Sequence, residues 1–148
     1  MPSNLQSPNT LIQPIKSKRV RKVIQDRISD TENILVQLSG NCDQTLVITP
    51  RQIYIIKPGF TAQAGFGTKF TKYDINQITS VELTRVFQTW IFWLAGPEII
   101  SPFNSFRDSG FEVFYTARNC IPFTYDQKPL FEEALQVIHG LITRSHCG

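Results

Sequence analysis

Cysteine, histidine and methionine are scarce in this 148-residue chain, which holds three Cys, two His and one Met. Cys42, Cys120 and Cys147 are an odd number at wide spacing with no Cys-x-x-Cys pair. That excludes a disulfide framework and fits free thiols in a reducing cytosol. A zinc site needs about four converging ligands; His139 and His146, even with Cys147 beside them, offer no second pair at metal spacing, so neither a metal nor a cofactor is expected. Long apolar runs are also lacking. The most apolar stretch, Trp90 to Gly96, falls far short of the roughly 20 residues of a membrane-spanning helix. The first fifteen residues are Pro, Ser, Asn, Gln and scattered aliphatics, with the charges arriving afterwards, so no secretory leader is expected and the chain reads as cytoplasmic. Catalytic pairs are as thin as metal ligands. Glu132 and Glu133 are neighbours on a helix and point apart, and nothing in the sequence brings Cys120 to a histidine. No catalytic residue is assigned, and the chain reads as not an enzyme.

What is present is a core. Hydrophobic residues make up 41% and charged residues 18%, with eleven Phe, four Tyr and two Trp, enough for one globular domain without disulfide or metal support. The formal net charge of +3 is unevenly placed. Through Asp30 the chain carries a net +4, from Lys16, Lys18, Arg19, Arg21, Lys22 and Arg27 against Asp26 and Asp30, while the rest is net −1.

Patterning divides the chain into three. Residues 1–15, with three prolines among polar residues, read as a disordered, solvated tail. In 16–30, Val20, Val23, Ile24 and Ile28 recur at helical spacing among the cations, giving a short basic amphipathic helix over 17–29 whose apolar stripe needs a surface to pack on. From 31 to 148 the pattern is β. Strands are expected at 34–38, 44–49, 52–57, 68–73 and 78–86, a sixth from Trp90, and a seventh over Gly110–Ala117, with Pro97–Ser109 as a long loop. Leu130, Phe131, Ala134, Leu135, Ile138, Leu141 and Ile142 then step at three and four through 128–144, an amphipathic C-terminal helix. The glycine-rich run 59–67 is followed by a strand, and Gly67-Thr68-Lys69 has the wrong order for a phosphate loop; glycines that permit positive φ between strands account for it.

The order of elements, with Gly59-Phe60-Thr61-Ala62-Gln63-Ala64-Gly65-Phe66-Gly67, Tyr73-Asp74-Ile75-Asn76-Gln77-Ile78-Thr79-Ser80-Val81-Glu82 and Thr45-Leu46-Val47-Ile48-Thr49-Pro50-Arg51-Gln52-Ile53-Tyr54, resembles the bacterial pleckstrin-homology-like (PH-like) domains, in particular the YokE-like group. The resemblance covers about residues 20–143 and is most specific over 44–83. It implies a mainly β, seven-stranded bent barrel or sandwich capped by the C-terminal helix, and no catalytic residue. Eukaryotic relatives that bind phosphoinositides hold the headgroup with Lys and Arg on the first hairpin; here that turn is Ser39-Gly40-Asn41-Cys42-Asp43, without a cation.

Two binding surfaces are candidates. Trp90, Phe92, Trp93 and Leu94 are large and apolar on both faces of one strand, so one face is expected to meet either the rest of the chain or a partner, through a protein contact or self-association in a homo-oligomer. The alternative is peripheral binding of an anionic membrane surface through Lys16, Lys18, Arg19, Arg21 and Lys22. Nucleic acid is disfavoured, since no aromatic residue interleaves with these cations, and no small-molecule substrate is inferred.

Overall fold

The computed structural model describes residues 10–28, 33–59 and 68–147, with side chains to Ser145. It is a mixed α+β structure, mainly β, with eight strands in two sheets and a long C-terminal helix. Sheet A runs in the order β1 (Leu11–Ile12), β2 (Val36–Ser39), β3 (Thr45–Ile48), β4 (Gln52–Lys57) and β5 (Lys69–Asp74). Sheet B is β6 (Ser80–Val86), β7 (Thr89–Ala95) and β8 (Cys120–Phe123). Apart from β1 every neighbouring pair is antiparallel.

Sheet A is covered on both faces at its centre. Leu46, Ile48, Ile53 and Ile55 point into the main core, and the alternate residues Val47, Tyr54 and Ile56 meet helix α1 (Lys18–Arg27). This double burial explains the unbroken apolar runs of β3 and β4, which a strand solvated on one face would not show. Helix α1 starts where the Ser17 hydroxyl accepts from Val20 N at 3.2 Å, and its Val20 and Ile24, followed by Ile28, fill the sheet-facing stripe. The turn from β2 to β3 passes close to β8: a Cβ on Gly40 would lie 2.6 Å from both Ile121 Cγ2 and Pro122 O, so only glycine fits there.

Three expectations are corrected. The segment 110–117 is not the seventh strand: Gly110, at φ 71, turns the chain into helix α3 (Glu112–Thr116), and a shorter helix α2 (Phe106–Ser109) precedes it. Phe103 and Phe106, and again Phe111 and Phe114, are three apart, a spacing that gathers all four rings on the outer face of sheet B with Ile91 and Trp93. A strand would split Phe111 from Phe114 onto opposite faces. The last strand is Cys120–Phe123, whose Pro122 is tolerated because β8 lies at the sheet edge. The second correction concerns the tail. From Thr10 on it is docked: β1 pairs parallel with β2, Gln13 O accepts from Gln37 Nε2 at 2.9 Å, Gln13 Oε1 accepts from Ser39 N at 3.0 Å, and Ile15 is buried. Residues 1–9 lie outside the described residues. The third is the strand count and shape: β1 makes eight strands among the described residues instead of seven, and of the expected bent barrel or sandwich the barrel is not formed, the strands lying in one sheet of five and one of three.

Helix α4 (Lys128–Cys147) closes the core. A reciprocal cap between Thr124 and Gln127 leads into it, and Phe131, Ala134, Ile138 and Leu141 turn inward, the Phe131 ring stacking on Phe123 at 4.2 Å.

Candidate functional site

The apolar strand packs mostly inside the chain. Phe92 and Leu94 are fully buried in the main core, and half-buried Trp90 packs on the same side with Lys128 Nζ 4.7 Å from its ring centre. On the other side, Trp93 meets the Phe103 ring at 5.6 Å and donates from Nε1 to Thr84 Oγ1 at 3.0 Å. Strand β7 is bonded to β6 on one edge and β8 on the other, so it has no edge for a further strand. Of the residues marked for self-association, Phe92 and Leu94 are therefore buried in the core, while Trp90 and Trp93 stay half-buried, Trp90 beside Lys128 and Trp93 against the 102–117 insertion.

The basic helix is arranged the other way. Lys16, Lys18, Arg19, Arg21 and Lys22 are all exposed, because the apolar stripe of α1 faces the sheet. Arg21 donates from Nη1 to Ile15 O at 2.7 Å and to Lys16 O at 3.2 Å, which fixes the approach to the helix. Lys22 pairs with Asp26 at 3.1 Å on the surface, and Arg27 sits 4.5 Å over the Phe70 ring. Lys16, Lys18 and Arg19 have no acidic partner among the described residues. The first turn of α1 holds no acid. Lys18 and Arg19 therefore stand at the positive end of the helix dipole, where cations weaken a helix and an anion stabilises it.

A polar site that the sequence reading missed lies at the C-terminal end of α3. Its last carbonyls have no partner within the helix, and three donors from sheet A and its turns supply them. Lys57 Nζ donates to Phe114 O at 3.1 Å, Gln44 Nε2 to Tyr115 O at 3.1 Å, and Lys69 Nζ to Thr116 O at 2.8 Å. The Cys120 thiol donates to Phe114 O as well, at 3.4 Å. Lys57 is only 3% exposed. Burial pushes its amine down from 10.5 to about 8, with the nearby Cys120 opposing and Lys69 adding to the shift. Burial likewise pushes the Cys120 thiol up to about 11, so it is a thiol and not a thiolate at neutral pH. In its protonated form Lys57, facing the last carbonyls of α3, acts as a cap on the helix C-terminus. The available signal was the alternation of β4: Lys57 shares its face with Ile53 and Ile55, which point into the core. Gln44 Oε1, buried in the same place, has no hydrogen-bond partner among the described residues.

The remaining candidates are dispersed. His139 is exposed on α4 and Cys42 on the β2–β3 turn, while the side chains of His146 and Cys147 lie outside the described residues, as does loop 60–67. No group of three or more His, Cys, Asp or Glu converges among the described residues, and no helix there is long and apolar enough to cross a membrane. Phe87 is 78% exposed at the two-residue β6–β7 turn, where φ is 57, and its ring stacks on Phe111 at 6.3 Å. A hairpin turn of that length requires positive φ, so the backbone there is set by the turn. No family model, curated protein or solved structure matches the chain.

Proposed function

We propose that this chain is a non-catalytic, cytoplasmic binding module of the bacterial PH-like type that docks on an anionic membrane surface through α1. The fold-level part of the reading is supported by the order of elements. With β1 set aside, four antiparallel strands are followed by three more and then by a closing helix, the sequence of elements that the resemblance implies.

The observation that carries the binding reading is the exposure of five cations on one short segment whose apolar stripe is already buried. A helix that needed its cations only for solubility would gain from an acid in the first turn; α1 has none there and places Lys18 and Arg19 against the dipole. Each cation held near an anionic bilayer contributes on the order of 1 kcal/mol. Lys16, Lys18 and Arg19 together then give weak, reversible attachment that falls as salt screens it. The self-association reading through strand 90–94 has less support, because Phe92 and Leu94 are buried and Trp90 and Trp93 half-buried within the chain.

The test is co-sedimentation with phosphatidylserine-rich vesicles and with phosphatidylcholine vesicles, at low and high salt. Binding to the first alone, lost at high salt and reduced about tenfold or more by Lys18→Glu with Arg19→Glu, is the expected outcome. Equal binding to both vesicle types, or none at low salt, sinks the reading.

A further inference from the structure

Helix α4 carries two stripes. Phe131, Ala134, Ile138 and Leu141 face the core. Beside them Leu130, Glu133, Val137, Gly140 and Arg144 step at three, four, three and four, which is again one line along a helix. The middle of this second line borders an open groove of about 780 Å³, whose opposite wall is made by Leu11, Leu35 and Pro50.

Nothing among the described residues requires glycine at position 140. Glycine inside a helix costs about 1 kcal/mol relative to alanine. Among the described residues, a Cβ built on Gly140 would meet nothing closer than the tip of Arg144 at 4.0 Å. Space left at a helix backbone permits close approach by something outside the fold.

The charges say what that is. Glu133 and Arg144 flank the glycine on the same line, eleven positions apart, which is about 16 Å along the axis. Both are exposed, and neither has an ion-pair partner among the described residues. An acid at one end, a base at the other and a small apolar centre are self-complementary under a two-fold rotation. Glu133 of one copy then meets Arg144 of the other, twice, as an isologous contact requires.

We propose that this face of α4 is the contact between two copies of the chain, packed antiparallel across Val137 and Gly140. The inference is independent of the anionic-surface reading, since it uses no residue of α1.

Light scattering on the size-separated full chain, over a wide range of concentration, tests it. A dimer is expected. Glu133→Arg alone and Arg144→Glu alone are each expected to weaken it about tenfold or more, and the two together to restore it. Gly140→Leu is expected to dissociate the dimer while leaving a folded monomer at least as resistant to heat, since leucine favours the helix. A chain that is monomeric at every concentration overturns the inference. So does a dimer that appears only after residues 1–9 are removed, which would make the chain's own N-terminal segment the occupant of the groove. A dimer indifferent to the single charge reversals, or not rescued by the double one, overturns it too.

Discussion

Helix α4 and the 102–117 insertion both cover the sheets, and they are held by different forces. Helix α4 is held by an apolar stripe of regular spacing, with Phe131 between Phe123 and Phe92. The insertion is held by an aromatic cluster on one side and, at the end of α3, by donors that reach carbonyls: Lys57, Gln44 and Lys69. Burying a regular stripe requires only that helix and sheets meet. The polar latch requires particular atoms from strands far apart in sequence, and it includes a buried amine whose desolvation offsets part of what its hydrogen bond contributes.

The sharpest way to break the comparison is at the two rings. Phe131→Ala and Phe114→Ala each remove a fully buried ring and should cost about 3–5 kcal/mol in denaturant unfolding. They should differ by region in amide hydrogen exchange. Phe131→Ala should speed exchange throughout both sheets, whereas Phe114→Ala should release 102–117 first and leave β3 and β4 protected.

The next effect depends on pH. Because the folded amine of Lys57 sits near 8 and the unfolded one at 10.5, the unfolded chain binds more protons between those values. Stability should therefore rise as pH passes upward through about 8, by no more than about 3 kcal/mol in total. Cys120 has the opposite sign: its folded pKa of about 11 lies above 9.0, so the folded chain keeps a proton that the unfolded one loses, and stability falls above about 9. The wild-type curve should rise between about pH 8 and 9 and then level off. In Cys120→Ala the rise should continue, and in Lys57→Met it should vanish; urea midpoints across this range measure both.

The smallest effect sharpens the contrast between α4 and α1, whose first turn holds cations and no acid. Lys18→Glu and Arg19→Glu should each stabilise α1 by about 0.5 kcal/mol at low salt, seen as a small rise in melting temperature. The same changes should weaken vesicle binding. A gain in stability together with a loss of binding separates a functional charge from a solubilising one.

These differences also mark what could be read from residues alone. Strand β4 was expected at 52–57 and lies there, and α1 and α4 differ from their expected limits only at the ends. In each, the apolar period is carried by residues that touch one continuous core. The segment Phe111-Glu112-Val113-Phe114-Tyr115 has high strand propensity and also suits a helix face, and a short run cannot decide between them. What decides is distant: Ile91 and Trp93 need a cover, and Lys57, Gln44 and Lys69 offer donors to a helix end. The docking of Gln13 was hidden for a similar reason, since its partners Gln37 and Ser39 are polar and leave no periodic mark. Among the candidate site residues, the cations of α1 could be read as exposed once their apolar neighbours were assigned to packing. The fate of Trp90 to Leu94 depended on an insertion whose conformation the sequence left open.

The short strand β1 has one more consequence. Sheet A would otherwise end at β2, whose peptide groups would face outward and could recruit the strand of any passing chain. Leu11 and Gln13 occupy those groups, the Gln13 side chain takes one more, and Pro14 follows at once. Proline cannot donate to a ladder, so the guard stops growing where it stops covering. The polar N-terminal segment thus keeps the sheet finite: it ends the molecule at its own boundary, and a chain shortened past Gln13 would carry an open seam into every encounter with its neighbours.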